Sequence, residues 1–153
     1  MDKDIGFLWF LGKLHEVFSY GLISAVVCLC FGLVDFPSLA SCAFAPVGIP
    51  NYFGFYMFWT LVGFLPISVV CAFATKYADN GDGLLFHSDS IVIIMFGHLF
   101  EDILGLFGTP FWFLKDLFSH SLGGWKTADY AFYLVLILFD VSGIALTALI
   151  SFG

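Results

Sequence analysis

The stretch AFYLVLILFDVSGIALTALISF, residues 131–152, holds one charged side chain, Asp140, in 22 positions. As a helix rising about 1.5 Å per residue it would reach about 33 Å, and the hydrocarbon core of a bilayer is about 30 Å thick. It is too long for a strand and too evenly apolar for a surface helix, so it reads as a membrane span. The whole chain agrees. Of its 153 residues, 61% are hydrophobic and 11% charged, where soluble domains run at about 45–50% and about 25%. Mean hydropathy is +1.01, and the 21 Phe carry more bulky apolar surface than one small core would bury. Both a water-soluble globule and a disordered chain are excluded. The expected fold class is all-α: a polytopic transmembrane helical protein of three to four spans with an interfacial or re-entrant segment.

Working outward from that span, Val17 to Val34 is uncharged and gives a first crossing, with Gly21 and Ser24-Ala25 as a small face for close helix contact. Residues 1–16 before it read as an N-terminal interfacial segment, and 17–152 as a single transmembrane helical domain. Residues 36 to 51 hold Pro37, Pro46 and Pro50 and read as a loop. Tyr52 to Thr75 gives another crossing, with Pro66 as an expected kink. Asp79-Asn80-Gly81-Asp82-Gly83 reads as a plain turn, because its spacing does not match a calcium loop. Residues 84 to 117 are ambiguous, since Glu101-Asp102 and Gly108-Thr109-Pro110 interrupt the apolar pattern. A span over about 86–105 is one solution. A segment that never crosses is the other. Apolar length points to four crossings, whereas a non-crossing middle segment would put Lys3, Lys13, Lys76, Lys115 and Lys126 on one side, in line with the positive-inside tendency.

Charge and motifs exclude several functions. With no Arg and a formal charge of −7, a phosphate-binding surface for nucleic acid is not expected. No nucleophile elbow, zinc-protease motif or glycine-rich phosphate loop is present, so no catalytic residue is assigned. The four Cys form no C-x-x-C pair and read as small hydrophobes. Met1-Asp2-Lys3-Asp4 lacks the positive flank of a cleaved signal or transit peptide. Trp9, Trp59, Trp112 and Trp125 stand near span ends or in flanking segments, as interfacial anchors do.

The chemistry should lie where polar residues interrupt apolar runs. Asp140 sits mid-span, where a carboxylate costs on the order of 3 kcal/mol even on the lenient insertion scale. It is either hydrogen-bonded to a neighbouring helix or part of a proton or cation site. On a helix, His87, Ile91, Ile94, His98, Glu101, Asp102 and Gly105 share a face at steps of three and four. His98 therefore has carboxylates three and four residues on. His87 and His98 are about 16 Å apart along that helix, so a common metal ion would need ligands from elsewhere, such as His15 or His120. No metal site is assigned.

Two patches resemble the membrane-anchor subunits of succinate dehydrogenase, respiratory complex II. Leu14-His15-Glu16-Val17, with Gly21 and Ser24-Ala25 after it, resembles the His-Arg motif opening the first helix of the large anchor, with Glu16 in place of the Arg. Gly97-His98-Leu99-Phe100-Glu101-Asp102 resembles the tail of that anchor's H-x-x-x-G-x-R-H-L-x-x-D motif. Gly97 there replaces an Arg, and the axial haem position falls on Ile91, one turn from His87. Asp129-Tyr130 resembles the Asp-Tyr of the small anchor, whose haem position falls on Phe118, with His120 two residues later. The resemblance implies a non-catalytic or quinone-site subunit of an oxidoreductase in the mitochondrial inner membrane. It also implies haem b near His98, His87 or His120, ubiquinone near Asp129 and Tyr130, bound phospholipid, and partner subunits of a hetero-oligomeric complex. Two other readings stay open. One is a non-catalytic accessory subunit of another energy-converting complex, such as the ATP synthase or an oxidase. The other is a small oligomeric transporter built on Asp140.

Overall fold

The computed structural model describes residues 3–44, 47–77 and 90–152. The chain runs through α1 (Lys3–Cys30), α2 (Phe36–Ser41), α3 (Ile49–Tyr77), α4 (Ile91–Phe118) and α5 (Gly124–Phe152). Four of these helices are long and apolar enough to cross a membrane, so the protein is an all-α integral membrane protein, as its composition requires. The turn at Asp79–Gly83 and the side chain of His87 lie outside the described residues.

The helix ends follow from local sequence. After Cys30, Gly32 adopts φ +68, a conformation open to glycine because it has no Cβ. The Leu33 amide then reaches the Cys28 carbonyl at 2.8 Å and the Gly32 amide the Leu29 carbonyl at 3.2 Å, the paired closure of a Schellman end. Asp35 begins α2 by accepting the Ser38 amide at 2.7 Å, with Pro37 in the first turn, where its missing N–H costs nothing. The predicted loop over 36–51 thus contains a capped helix. Within the N-terminal segment 1–16, residues 3–16 form the start of α1, continuous with the first span, and α3 and α4 continue through Pro66 and Pro110. The helix at the span expected over about 86–105 runs from Ile91 to Phe118.

Helices α1 and α3 pack antiparallel through small residues. Gly21 lies so close to Thr60, and Gly63 to Phe18, that a Cβ at either glycine would collide. Ser24 and Ala25 are buried, confirming the small face. Helix α5 runs parallel to α1: Lys13 pairs with Asp129 and Ser24 with Asp140. Residues 77 and 124 therefore stand at the end of the bundle where α1 begins, here the Lys13 end. Beside Ala25, Cys28, Phe53 and Met57, Leu39 of α2 closes an apolar core toward the opposite, Asp35 end.

Helix α4 does not run the length of this bundle. His98 and Asp116 are 18 positions apart, about 27 Å of helical rise. Yet His98 rests against His15, and Asp116 bonds Tyr130, whose neighbour Asp129 pairs with Lys13. Both contacts fall at the Lys13 end. Outward, α4 presents Phe96, Phe107, Phe111 and Trp112; inward it buries Ile94, Gly97 and Thr109.

Candidate functional site

Apolar side chains face out of this bundle and many polar ones face in. His15, Ser19, Ser24, Thr60, Ser68, Thr109 and Asp140 are all buried. In a bilayer each needs a partner inside the protein, because the lipid offers none. The partners of His15, Ser19, Ser24, Ser68 and Asp140 converge at two levels along α1.

At the first level, His15 is 3% exposed and has both ring nitrogens engaged. Nδ1 lies 2.6 Å from Asp102 Oδ2, and Nε2 lies 3.0 Å from the Ser68 hydroxyl. The acceptor-only carboxylate places a proton on Nδ1, so in the neutral imidazole Nε2 accepts from Ser68. The Ser19 hydroxyl donates to the same Asp102 oxygen at 2.7 Å. The His98 ring stands 5.7 Å from that of His15, with its Nδ1 3.8 Å from Glu101. The expected His98–Glu101 neighbourhood therefore forms, but the strong hydrogen bonds of Asp102 go to α1.

On the adjacent face of α1, Lys13 Nζ approaches Asp129 at 3.1 Å and Glu16 at 3.6 Å. It also donates to the Tyr133 oxygen at 3.0 Å, and Tyr133 donates to Glu16 Oε1. The ammonium lies 4.2 Å from the centre of the Tyr133 ring, so it is held by two carboxylates and an aromatic face. Near the start of α5, Tyr130 donates to Asp116 at 2.6 Å and Lys126 pairs with Asp116 at 2.7 Å. Asp129 and Tyr130 thus belong to the Lys13 end, though their direct partners differ.

Deeper, Asp140 is 4% exposed. Ser24 donates to its Oδ1 at 2.8 Å, and the Tyr56 hydroxyl lies 3.4 Å from Oδ2. Of the two readings of Asp140, a helix-to-helix hydrogen bond is present. Tyr20 lies between the levels, one turn from Glu16 and one from Ser24. It is 1% exposed, and its hydroxyl has no hydrogen-bond partner among the described residues.

Three of the four histidines, His15, His98 and His120, lie among the described residues, and His87 does not. Both nitrogens of His15 are taken, His98 turns Nδ1 toward Glu101, and His120 sits at φ 53 on the exposed turn after α4. Among the described residues no three His, Cys, Asp or Glu side chains are placed to hold a metal ion. Sequence spacing had not identified Lys13, Glu16, Ser19, Tyr20, Tyr56 or Tyr133 as part of a site. A polar residue at every third or fourth position of α1, from 13 through 16 and 20 to 24, was the signal available. No known protein family, curated protein or solved structure matches this chain.

Proposed function

We propose that this chain is an integral membrane subunit of a respiratory-chain complex, of the kind that anchors succinate dehydrogenase in the mitochondrial inner membrane. In this reading its Lys13 end meets the soluble subunits and contributes to a quinone pocket. The observation that carries the proposal is the 2.6 Å contact between His15 and Asp102. The patches 14–17 and 97–102 resemble two motifs of one anchor, and this contact joins them across 87 residues. Asp129-Tyr130, the patch resembling the small anchor, lies at the same end through Lys13. The apolar exterior of α4 and α5 supplies surface for partner subunits and phospholipid.

The function rests on anchoring and on the polar groups that would face a quinone headgroup. Affinity purification from the native membrane tests it. A flavin subunit and an iron–sulfur subunit should copurify with the chain. Recovery with an ATP synthase or an oxidase would replace it with the accessory-subunit reading, which the missing Arg residues at Glu16 and Gly97 favour. Recovery as a homo-oligomer whose ion flux is abolished by Asp140→Asn would replace it with the transporter.

A further inference from the structure

At the Asp35 end, between α2, the start of α3 and the end of α5, the bundle opens into a cleft of about 650 Å³. Small-molecule sites run at about 300–1,000 Å³. The walls divide by chemistry. Leu29, Leu33, Leu39, Met57 and Ile150 supply an apolar part, and Asp35, Ser41, Asn51 and Thr147 a polar one. Local contacts tie most of the polar part together. Asp35 Oδ1 accepts the Ser38 amide at 2.7 Å, and the Cys42 thiol lies 3.5 Å from the Ser38 carbonyl and 3.9 Å from Asn51 Oδ1. Thr147 faces this patch from α5.

The patch presents acceptors. Ser41 donates to the Ser38 carbonyl at 2.6 Å and Thr147 to the Gly143 carbonyl at 2.8 Å. Each hydroxyl proton is thus committed, and lone pairs are left for a ligand. Asn51 turns its side-chain nitrogen to the Val47 carbonyl. Asp35, ionised, only accepts, and it is the one charged side chain on the walls among the described residues. Residues 17–75 and 141–153, which hold every lining residue, contain no Lys or Arg. An anion would therefore meet a like charge and no cation. A ketone or other neutral acceptor would meet chiefly lone pairs. A cation bearing N–H groups meets both the charge and the acceptors.

We propose that this cleft binds a lipophilic primary amine, with its ammonium on Asp35 and its alkyl body against Leu29, Leu39 and Met57. Such an amine is protonated at neutral pH, as a lysine side chain is, and offers three N–H donors. Its apolar body is drawn from water by the same surface that floors the cleft. A free long-chain amine and the headgroup of phosphatidylethanolamine carry this same ammonium. The site stands at the end of the bundle opposite His15 and Lys13, and is independent of which assembly the chain joins.

The test uses the full chain, labelled with nitrogen-15, in nanodiscs of phosphatidylcholine, whose quaternary ammonium has no N–H to donate. Dodecylamine should shift the Ser38 and Asn51 amide resonances saturably. Dodecanol, which lacks the charge, and propylamine, which lacks the long body, should leave them in place at the same concentration. Asp35→Asn keeps a good N-cap residue but removes the charge, and should weaken dodecylamine binding about tenfold or more. Ser151→Trp, at an exposed position on the rim, keeps the charge, obstructs the cleft and should abolish the shifts. Shifts that never saturate, that dodecanol or propylamine reproduces, or that survive either substitution at unchanged affinity would overturn the site. Once saturable binding is established, phosphatidylethanolamine added to the disc distinguishes the sources. Displacement of dodecylamine assigns the site to the bilayer lipid, and unchanged binding assigns it to a free amine.

Discussion

His15 shows how a single residue acquires its role from other helices. Its partners Asp102 and Ser68 lie 87 and 53 residues away, beyond the reach of any helical spacing rule. Spacing pointed to His98 with Glu101 and Asp102 because side chains three and four residues apart share a face. It described α4 correctly and missed the pair of donors on α1, His15 and Ser19, that Asp102 accepts from. Hydrogen bonds between membrane helices average about 0.6 kcal/mol in double-mutant cycles, with a maximum near 1.7. The His15–Asp102 bond is buried and reinforced by Ser19, so its coupling should lie at the upper end of that range. A cycle of His15→Ala and Asp102→Ala, read by reversible unfolding in detergent, should return a coupling above about 1 kcal/mol. Gly143 gives a second prediction at this scale. A Cβ there would run into the ring of Phe53, and overpacking of this kind costs about 1–3 kcal/mol. Gly143→Ala should therefore lower stability in the same assay, and Phe53→Leu should recover part of the loss.

At the scale of elements, the apolar runs located the four long helices and set both ends of α3 and the C-terminal ends of α1 and α5 to within about four residues, since a helix satisfies its own backbone in lipid. Two elements were not legible. Helix α2 is six residues long and stands in a proline-bearing segment; only the Asp35–Ser38 cap distinguishes it from a loop. Hydrogen bonds from Ser38 hold the Asp35 carboxyl below its usual range. The cap is therefore present above the ordinary Asp pKa and is lost as pH falls through the lowered value. The Ser38 amide resonance should titrate with a midpoint below that of an unstructured Asp, and Asp35→Ala should abolish the titration and fray α2. Helix α4 was ambiguous because its outward face is as apolar as a span while its inward face carries His98, Glu101 and Asp102. Length alone implied a crossing; the contacts with His15 and Tyr130 bring both to the Lys13 end. Lys76→Cys and Lys115→Cys should accordingly react with an impermeant maleimide from the same side of sealed vesicles. Labelling from opposite sides would establish α4 as a fourth crossing.

Over the whole molecule, charge is divided as unevenly as hydropathy. All five lysines belong to the Lys13 end if α4 does not cross, while Asp35 is the sole charged residue between Val17 and Lys76. Composition identified the membrane as the solvent, because 61% apolar residues cannot be enclosed by five helices. It did not reveal that the enclosed volume would be the polar part, since composition counts residues without assigning them to a face. That inversion has a calorimetric consequence. Unfolding a water-soluble domain wets its apolar core and raises the heat capacity by about 12–15 cal/mol/K per residue. Here the phenylalanines of α4 already face hydrocarbon before unfolding and would face it afterwards, so separating the helices within the bilayer transfers little apolar area to water. The stability curve should be nearly linear in temperature, with a heat-capacity increment far below the soluble value and no loss of structure on cooling.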